Sequence, residues 1–257
     1  MAYPLLWMVS SSVKPSTEIF TDLSLWPSSV DLGNYVSGWD VSGTNFSRYF
    51  VNSFIVSAGA VVGNVLACSL TAYAFARLDF RLKKFWFAVM LVTVMLPYHI
   101  ILIPQYILFL NLGWVNTFLP LIVPKFLATD AFFIFLMVQF IRSLPRDLDD
   151  AAAVDGCGPF RFYLLIILPL LGPALVTTAI FTFIWTYGDF LSQLVYLTDP
   201  NMYTVPLGLR MFLDVTGQSA WGELFAMSVL TLVPTFLVFI FFQRRIIEGI
   251  ATTGIRG

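Results

Sequence analysis

Charged residues divide the chain into uncharged blocks of similar size. None occurs between Arg48 and Arg77, between Lys84 and Lys125, between Arg161 and Asp189, or from Leu224 to Gln243. A helix rising about 1.5 Å per residue needs about 20 apolar residues to cross the hydrocarbon core of a bilayer. Each block meets that length. The second holds one crossing and the start of another, with the polar break NLGWVN, Asn111 to Asn116, as the turn. The crossing after that turn ends at Ile141, before Arg142. The pattern predicts five full transmembrane helices.

Tyr3 to Val9 is apolar but too short to cross. It reads as the outer end of a first helix whose beginning is missing from this sequence, or as a short interfacial anchor. The start MAYPLLWMVSSS lacks the basic n-region of a cleavable signal peptide. The expected fold is an all-α polytopic membrane protein of about six transmembrane helices, the first one truncated. It forms a single domain over residues 1–257.

The predicted helices are not plain rods in lipid. Pro97, Pro104, Pro169, Pro173 and Pro234 interrupt them, and each removes a backbone donor and bends its helix. Such breaks persist in membranes where protein or a watery cavity satisfies the freed carbonyls. Ser57, Ala58, Gly59, Ala60 and Gly63 are small enough for close helix approach. Orientation follows from lysine and arginine, which gather on the cytoplasmic side. Arg77, Arg81, Lys83 and Lys84, then Arg142, Arg146 and Arg161, then Arg244, Arg245 and Arg256 fall on one side if the helices alternate. Lys14 to Asn45 and Asp189 to Trp221 are then external, and the external loop between helices covers residues 198–221.

Composition agrees. Hydrophobic residues make up 58% of the chain and charged ones 11%, against about 25% charged in a soluble domain. A net charge of −1 gives no footprint for nucleic acid. Cys68 and Cys157 are far apart, and His99, the single histidine, has no ligand-type companions, so neither a disulfide framework nor a metal site is indicated. No G-x-x-x-x-G-K-[ST] phosphate loop is present, so the chain cannot bind ATP by that route.

One polar segment stands out, Asp149 to Pro169, DDAAAVDGCGPFRFYLLIILP. Pro145 suits a helix start. Asp147, Asp149 and Asp150 crowd the first turn, where the helix dipole favours negative charge. Ala151, Ala152 and Ala153 propagate the helix, and Gly156 can take the left-handed conformation that ends it. Gly158 and Pro159 start a second helix running into the next span. Leu148, Ala151, Ala152 and Asp155 share one smooth stripe; Asp147, Asp150 and Val154 share an acidic one. A short, rigid element of this kind over residues 145–160 is fit for docking. Read plainly, it is a surface turn.

The segment resembles the signature loop of ABC-importer permeases, Glu-Ala-Ala, three residues, Gly, nine residues, then Ile-x-Leu-Pro. Here it reads Asp150-Ala151-Ala152, Gly156 and Ile166-Ile167-Leu168-Pro169 at the same spacing, with Asp150 for Glu. The early segment LWMVSSSVKPSTEIF, Asn52-Ser53, the run Ala72 to Arg77, Leu96-Pro97, Ile103-Pro104 and the ending GIATTGIRG are similar to MalG-like sugar permeases. The resemblance implies a type I importer permease in a bacterial or archaeal cytoplasmic membrane, pairing with a second, related permease. It implies two ATPase subunits that carry ATP and Mg, an external solute-binding protein, a carbohydrate cargo, and no cofactor or catalysis in this chain. Asp147, Asp150, Ala151, Ala152, Asp155 and Gly156 would then engage the ATPase.

Asp130 is the informative membrane charge. A helix starting near Leu119 places it about half-way across, where an ionisable group faces a cavity or a partner. A helix starting near Ala128 leaves it and Lys125 at the external surface. Trp185, Tyr187 and Asp189 could meet a sugar by stacking and hydroxyl hydrogen bonds, or could mark the membrane interface. The family often has Trp-Asn-Asp-Phe where this chain has Tyr187-Gly188-Asp189-Phe190. Alternatives to sugar import are a non-sugar solute, such as a polyamine or phosphorylated polyol, and an ion-coupled secondary transporter. The last needs several buried carboxylates, and Asp130 stands alone.

Overall fold

A computed structural model describes residues 2–41, 43–213 and 220–251, without the side chains of 41 and 244–251. The tail charges Arg244, Arg245 and Arg256 and part of the 198–221 loop therefore lie outside the described parts. In chain order the elements are α1 (Tyr3–Ser11), α2 (Gly33–Gly38), the hairpin β1 (Asp40–Val41) and β2 (Thr44–Asn45), α3 (Phe46–Arg77), α4 (Lys83–Val94) and α5 (Tyr98–Asn111). Next come α6 (Leu119–Ile122), a 3-10 turn over Val123–Leu127, α7 (Ala131–Ser143), α8 (Asp147–Val154) and α9 (Pro159–Phe162). A π-helical turn over Tyr163–Ile167 leads to α10 (Leu168–Leu170) and α11 (Gly172–Tyr187). The chain goes on through α12 (Leu191–Tyr196), a 3-10 turn over Pro200–Met202, α13 (Val205–Arg210) and α14 (Trp221–Ala251).

Among the described residues three elements are long and apolar enough to cross a membrane: Phe46–Arg77, Leu119–Ser143 and Trp221–Gln243. The other two predicted crossings are bent pairs. Helices α4 and α5 meet at 102° beside Pro97, and the Pro159–Leu170 run meets α11 at 75° between Pro169 and Pro173. Each becomes a fifth or fourth crossing only if its two halves count as one span. Proline is the cause in both, because it removes a donor at the break.

The chain forms two compact units. The first comprises residues 1–56 and 187–239. Its buried polar side chains fasten loops. Asn52 Nδ2 donates to the carbonyls of Asn201 (3.0 Å) and Tyr203 (2.8 Å), and Ser53 Oγ accepts from the Val205 amide at 2.8 Å. Thr204 and Gln193 hydrogen-bond beside them. Lys14, counted in the sequence as a plain external charge, is fully buried, and its ammonium donates to the carbonyls of Asp22 and Ser24, each at 2.7 Å. Helix α1 is nine residues long, and its Trp7 meets Phe225 of α14 edge-on at 5.3 Å.

The second unit comprises residues 57–186 and 240–257. Its core joins Cys68, Ala72 and Ala76 of α3 to Phe133, Ile134, Met137, Val138 and Ile141 of α7. Both sets follow helical spacing, so each helix presents one stripe. The small residues of α3 serve close packing: a side chain at Gly63 would meet the Phe126 ring at 2.5 Å, and one at Gly59 would meet Ile122 at 3.0 Å.

Candidate functional site

The 145–160 segment folds as two short helices in the second unit. Arg146 takes the N-cap position of α8, and its carbonyl accepts from the Asp149 amide at 2.8 Å. At the other end Gly156 adopts φ of +69°. The Gly156 amide then reaches the Ala153 carbonyl (3.1 Å) and the Cys157 amide the Ala152 carbonyl (2.8 Å). That pair of bonds is the Schellman closure, which needs a left-handed residue at this point. Helix α9 opens at Pro159.

The carboxylates divide. Asp147, Asp150 and Asp155 are exposed, as are Ala151 and Gly156. Ala152 is buried in the unit's core with Leu148 packed against it, so the smooth stripe is only partly the packing face. Val154 and Phe160 are apolar yet 88% and 64% exposed. Asp149, not among the predicted contacts, turns inward and forms an ion pair with Arg77 at 3.0 Å. The Arg77 side chain is 2% exposed, and Nη2 also donates to the carbonyls of Ile141 (3.2 Å) and Leu144 (2.9 Å). Arg77, read in the sequence as an orientation charge and as the end of the Ala72–Arg77 run, thus holds the end of α7 and the start of α8 together. The Tyr73 hydroxyl donates to the Pro159 carbonyl at 2.9 Å, and Ser69 and Tyr163 share a hydroxyl hydrogen bond of 2.8 Å. Sequence reasoning missed these partners. Their signal was the spacing of Ser69, Tyr73 and Arg77, four residues apart on one face of the helix.

The membrane-segment candidates fall at two places. Asp130 sits at the N-cap position of α7, where the Leu119–Ser143 element is broken by a left-handed Ala128 (φ +54°). Its carboxylate pairs with Lys125 at 2.7 Å, each side chain 27% exposed. The Asp130 carbonyl also receives the Cys68 thiol at 3.8 Å. Two residues beyond Asp130, Phe132 lies 6.1 Å from Trp185, which also packs on Phe133 (5.3 Å) and Phe181 (5.7 Å). Trp185 and Phe132 remain 54% and 48% exposed. Nearby, Asn64 Nδ2 donates to Thr182 Oγ1 at 2.8 Å. The other two candidates belong to the first unit. Tyr187 is buried with its ring 6.0 Å from Phe54, and Asp189 accepts from the Ser192 amide at 3.1 Å, fastening the start of α12.

The profile of the family described as "Binding-protein-dependent transport system inner membrane component" matches residues 48–251. The chain belongs to that family. As an inner membrane component it is a multi-pass protein of ABC transporters. The probable ABC transporter permease protein YurM of Bacillus subtilis (strain 168) is 35% identical over 257 residues, all of this chain and 84% of that protein. The arabinooligosaccharides transport system permease protein AraQ of Halalkalibacterium halodurans is 36% identical, covering 99% of this chain and 91% of AraQ. The trehalose/maltose transport system permease protein MalG of Thermococcus litoralis is 32% identical with the same two coverages, 99% and 91%. The fold of the inner membrane component is that of a chain in the crystal structure of a bacterial ABC transporter involved in alginate import, with a TM-score of 0.83 over 95% of this chain and 90% of that one, at 19% identity.

Proposed function

We propose that this inner membrane component forms half of the translocation pathway of an ATP-driven carbohydrate importer. A second, related permease supplies the other half, two separate ATPase subunits supply the energy, and an external binding protein delivers the sugar. The chain itself carries out no catalysis. The observation that carries the reading is the 145–160 hairpin. Its acidic residues Asp147, Asp150 and Asp155 and its apolar Val154 and Phe160 are all exposed, while Asp149 and Ala152 tie it to the helical body. Such an element offers a mixed acidic and apolar surface for a partner and is held firmly enough to transmit a push. The sugar cargo is supported by the arabinooligosaccharide and trehalose/maltose systems of two of the relatives.

The pathway candidates in the second unit are Asp130, held by Lys125, and Trp185 with Phe132. An aromatic shelf beside a neutralised charge pair suits a sugar, whose ring faces stack and whose hydroxyls hydrogen-bond. Tyr187 and Asp189 have local structural partners and carry less of the proposal.

The test is a photo-crosslinker at Val154 in the assembled importer. The expected product is a covalent adduct with the ATPase. Asp150→Asn should lower recovery of the ATPase on co-purification in mild detergent. An adduct only with lipid, and undiminished recovery, would remove the docking assignment.

A further inference from the structure

Three side chains of α3 reach the docking hairpin and the residue that continues it into the next span, at three successive places. Ser69 meets the Tyr163 hydroxyl at 2.8 Å, Tyr73 meets the Pro159 carbonyl at 2.9 Å, and Arg77 meets the Asp149 carboxylate at 3.0 Å. The spacing is four residues each time, so all three stand on one helical face one turn apart. Ser69, Tyr73 and the Arg77 side chain are 0%, 4% and 2% exposed. Arg146 adds a bond in the other direction, from its guanidinium to the Ala76 carbonyl at 3.5 Å. The three rungs touch α8, the start of α9 and the first π-helical residue in turn. They therefore bridge the whole hairpin, including the Gly156 turn at its tip.

We propose that Ser69, Tyr73 and Arg77 form a polar seam that locks the hairpin and the C-terminal half of α3 into one lever. This rests on the docking reading of the hairpin. Without the seam, a push on α8 is absorbed at the Gly156 turn, where a left-handed residue and open surroundings offer little resistance. With it, the push arrives at α3. Buried polar bonds suit this better than apolar packing alone, because they are directional and costly to leave unmade. The three residues are positioning residues.

The seam predicts two things in the reconstituted importer. Spin labels at Ala153→Cys and Leu70→Cys, both exposed sites, in a background of Cys68→Ala and Cys157→Ala, should keep one distance with and without a non-hydrolysable ATP analogue. In the variant Ser69→Ala/Tyr73→Phe/Arg77→Gln that distance should broaden, and uptake per ATP hydrolysed should fall roughly tenfold. Arg77→Lys, which keeps the charge without the fork, should recover part of the loss. If the triple variant does not accumulate, Ser69→Ala/Tyr73→Phe leaves the ion pair in place and carries the same readouts. A distance that changes by more than about 5 Å between nucleotide states with the seam intact, or unchanged uptake per ATP in the variant, overturns the seam. A purely stabilising role would lower yield and leave uptake per ATP untouched. Failure of the Val154 crosslink to the ATPase is a separate result that overturns the docking reading, and the seam's role with it.

Discussion

Gly156 separates two effects that usually act together. A side chain added there meets no atom within 4 Å, yet the backbone stands at φ +69°. The penalty for substitution is therefore conformational, not steric, about 1–2 kcal/mol for an ordinary residue. Asn visits this region readily and β-branched residues do not. Gly156→Val is expected to uncouple ATP hydrolysis from uptake while the helices stay folded. Gly156→Asn is expected to hold both within about twofold of the parent protein. Parallel ATPase and uptake assays check this, and equal behaviour of the two variants would count against the Schellman closure as the working feature. The glycine was legible in the sequence because its chemistry is local. Lys14 and Asp149 were not. Each is a charged residue in a polar stretch, and only the tertiary fold brings Lys14 to two carbonyls and Asp149 to Arg77.

At the scale of elements, the break between the 3-10 turn and α7 concentrates the unusual chemistry. Ala128 is left-handed, Asp130 starts the helix, and Lys125 reaches back to it at 2.7 Å. Removing one member leaves the other charge without compensation. The usual cost for a fully buried pair is about 3–5 kcal/mol; with both side chains 27% exposed, incomplete burial lowers the expectation to roughly 1–3 kcal/mol. Thermal unfolding in detergent should show this loss for Lys125→Met and for Asp130→Asn, and a recovery of most of it in the double variant. If the pair also lines the sugar path, the double variant regains stability but not uptake. The two sequence readings of Asp130 assumed one helix with one start. The structure has two helical pieces joined at a kink, which periodicity could not show. Bends at Pro97 and around Pro169 were legible as breaks, because proline acts on its own backbone, but their angles of 102° and 75° depend on what packs against them.

For the whole molecule, the run of uncharged blocks gave the class of fold directly, since the bilayer imposes length on every crossing. The family match over residues 48–251 agrees with that class. Cargo was not legible, because a sugar is recognised by a few groups whose depth and orientation the sequence does not set. Calorimetry of the cognate binding protein against a panel of mono-, di- and oligosaccharides is expected to find a ligand of at least micromolar affinity. Proteoliposomes holding the full importer should accumulate that same ligand with ATP and not with an ion gradient alone. Accumulation by the purified chain under a gradient would exclude the ATP-driven reading.

The π-helical turn over Tyr163–Ile167 has a consequence for how such a chain can vary in length. A π-turn carries one residue more than an α-turn. Loss of a single codon inside it, for instance that of Leu165, whose side chain is 69% exposed, lets the turn close as ordinary α-helix with both flanks still in phase. The same loss in the middle of α3 would rotate every later side chain by about 100°. This stretch is where the reading frame of the fold has slack.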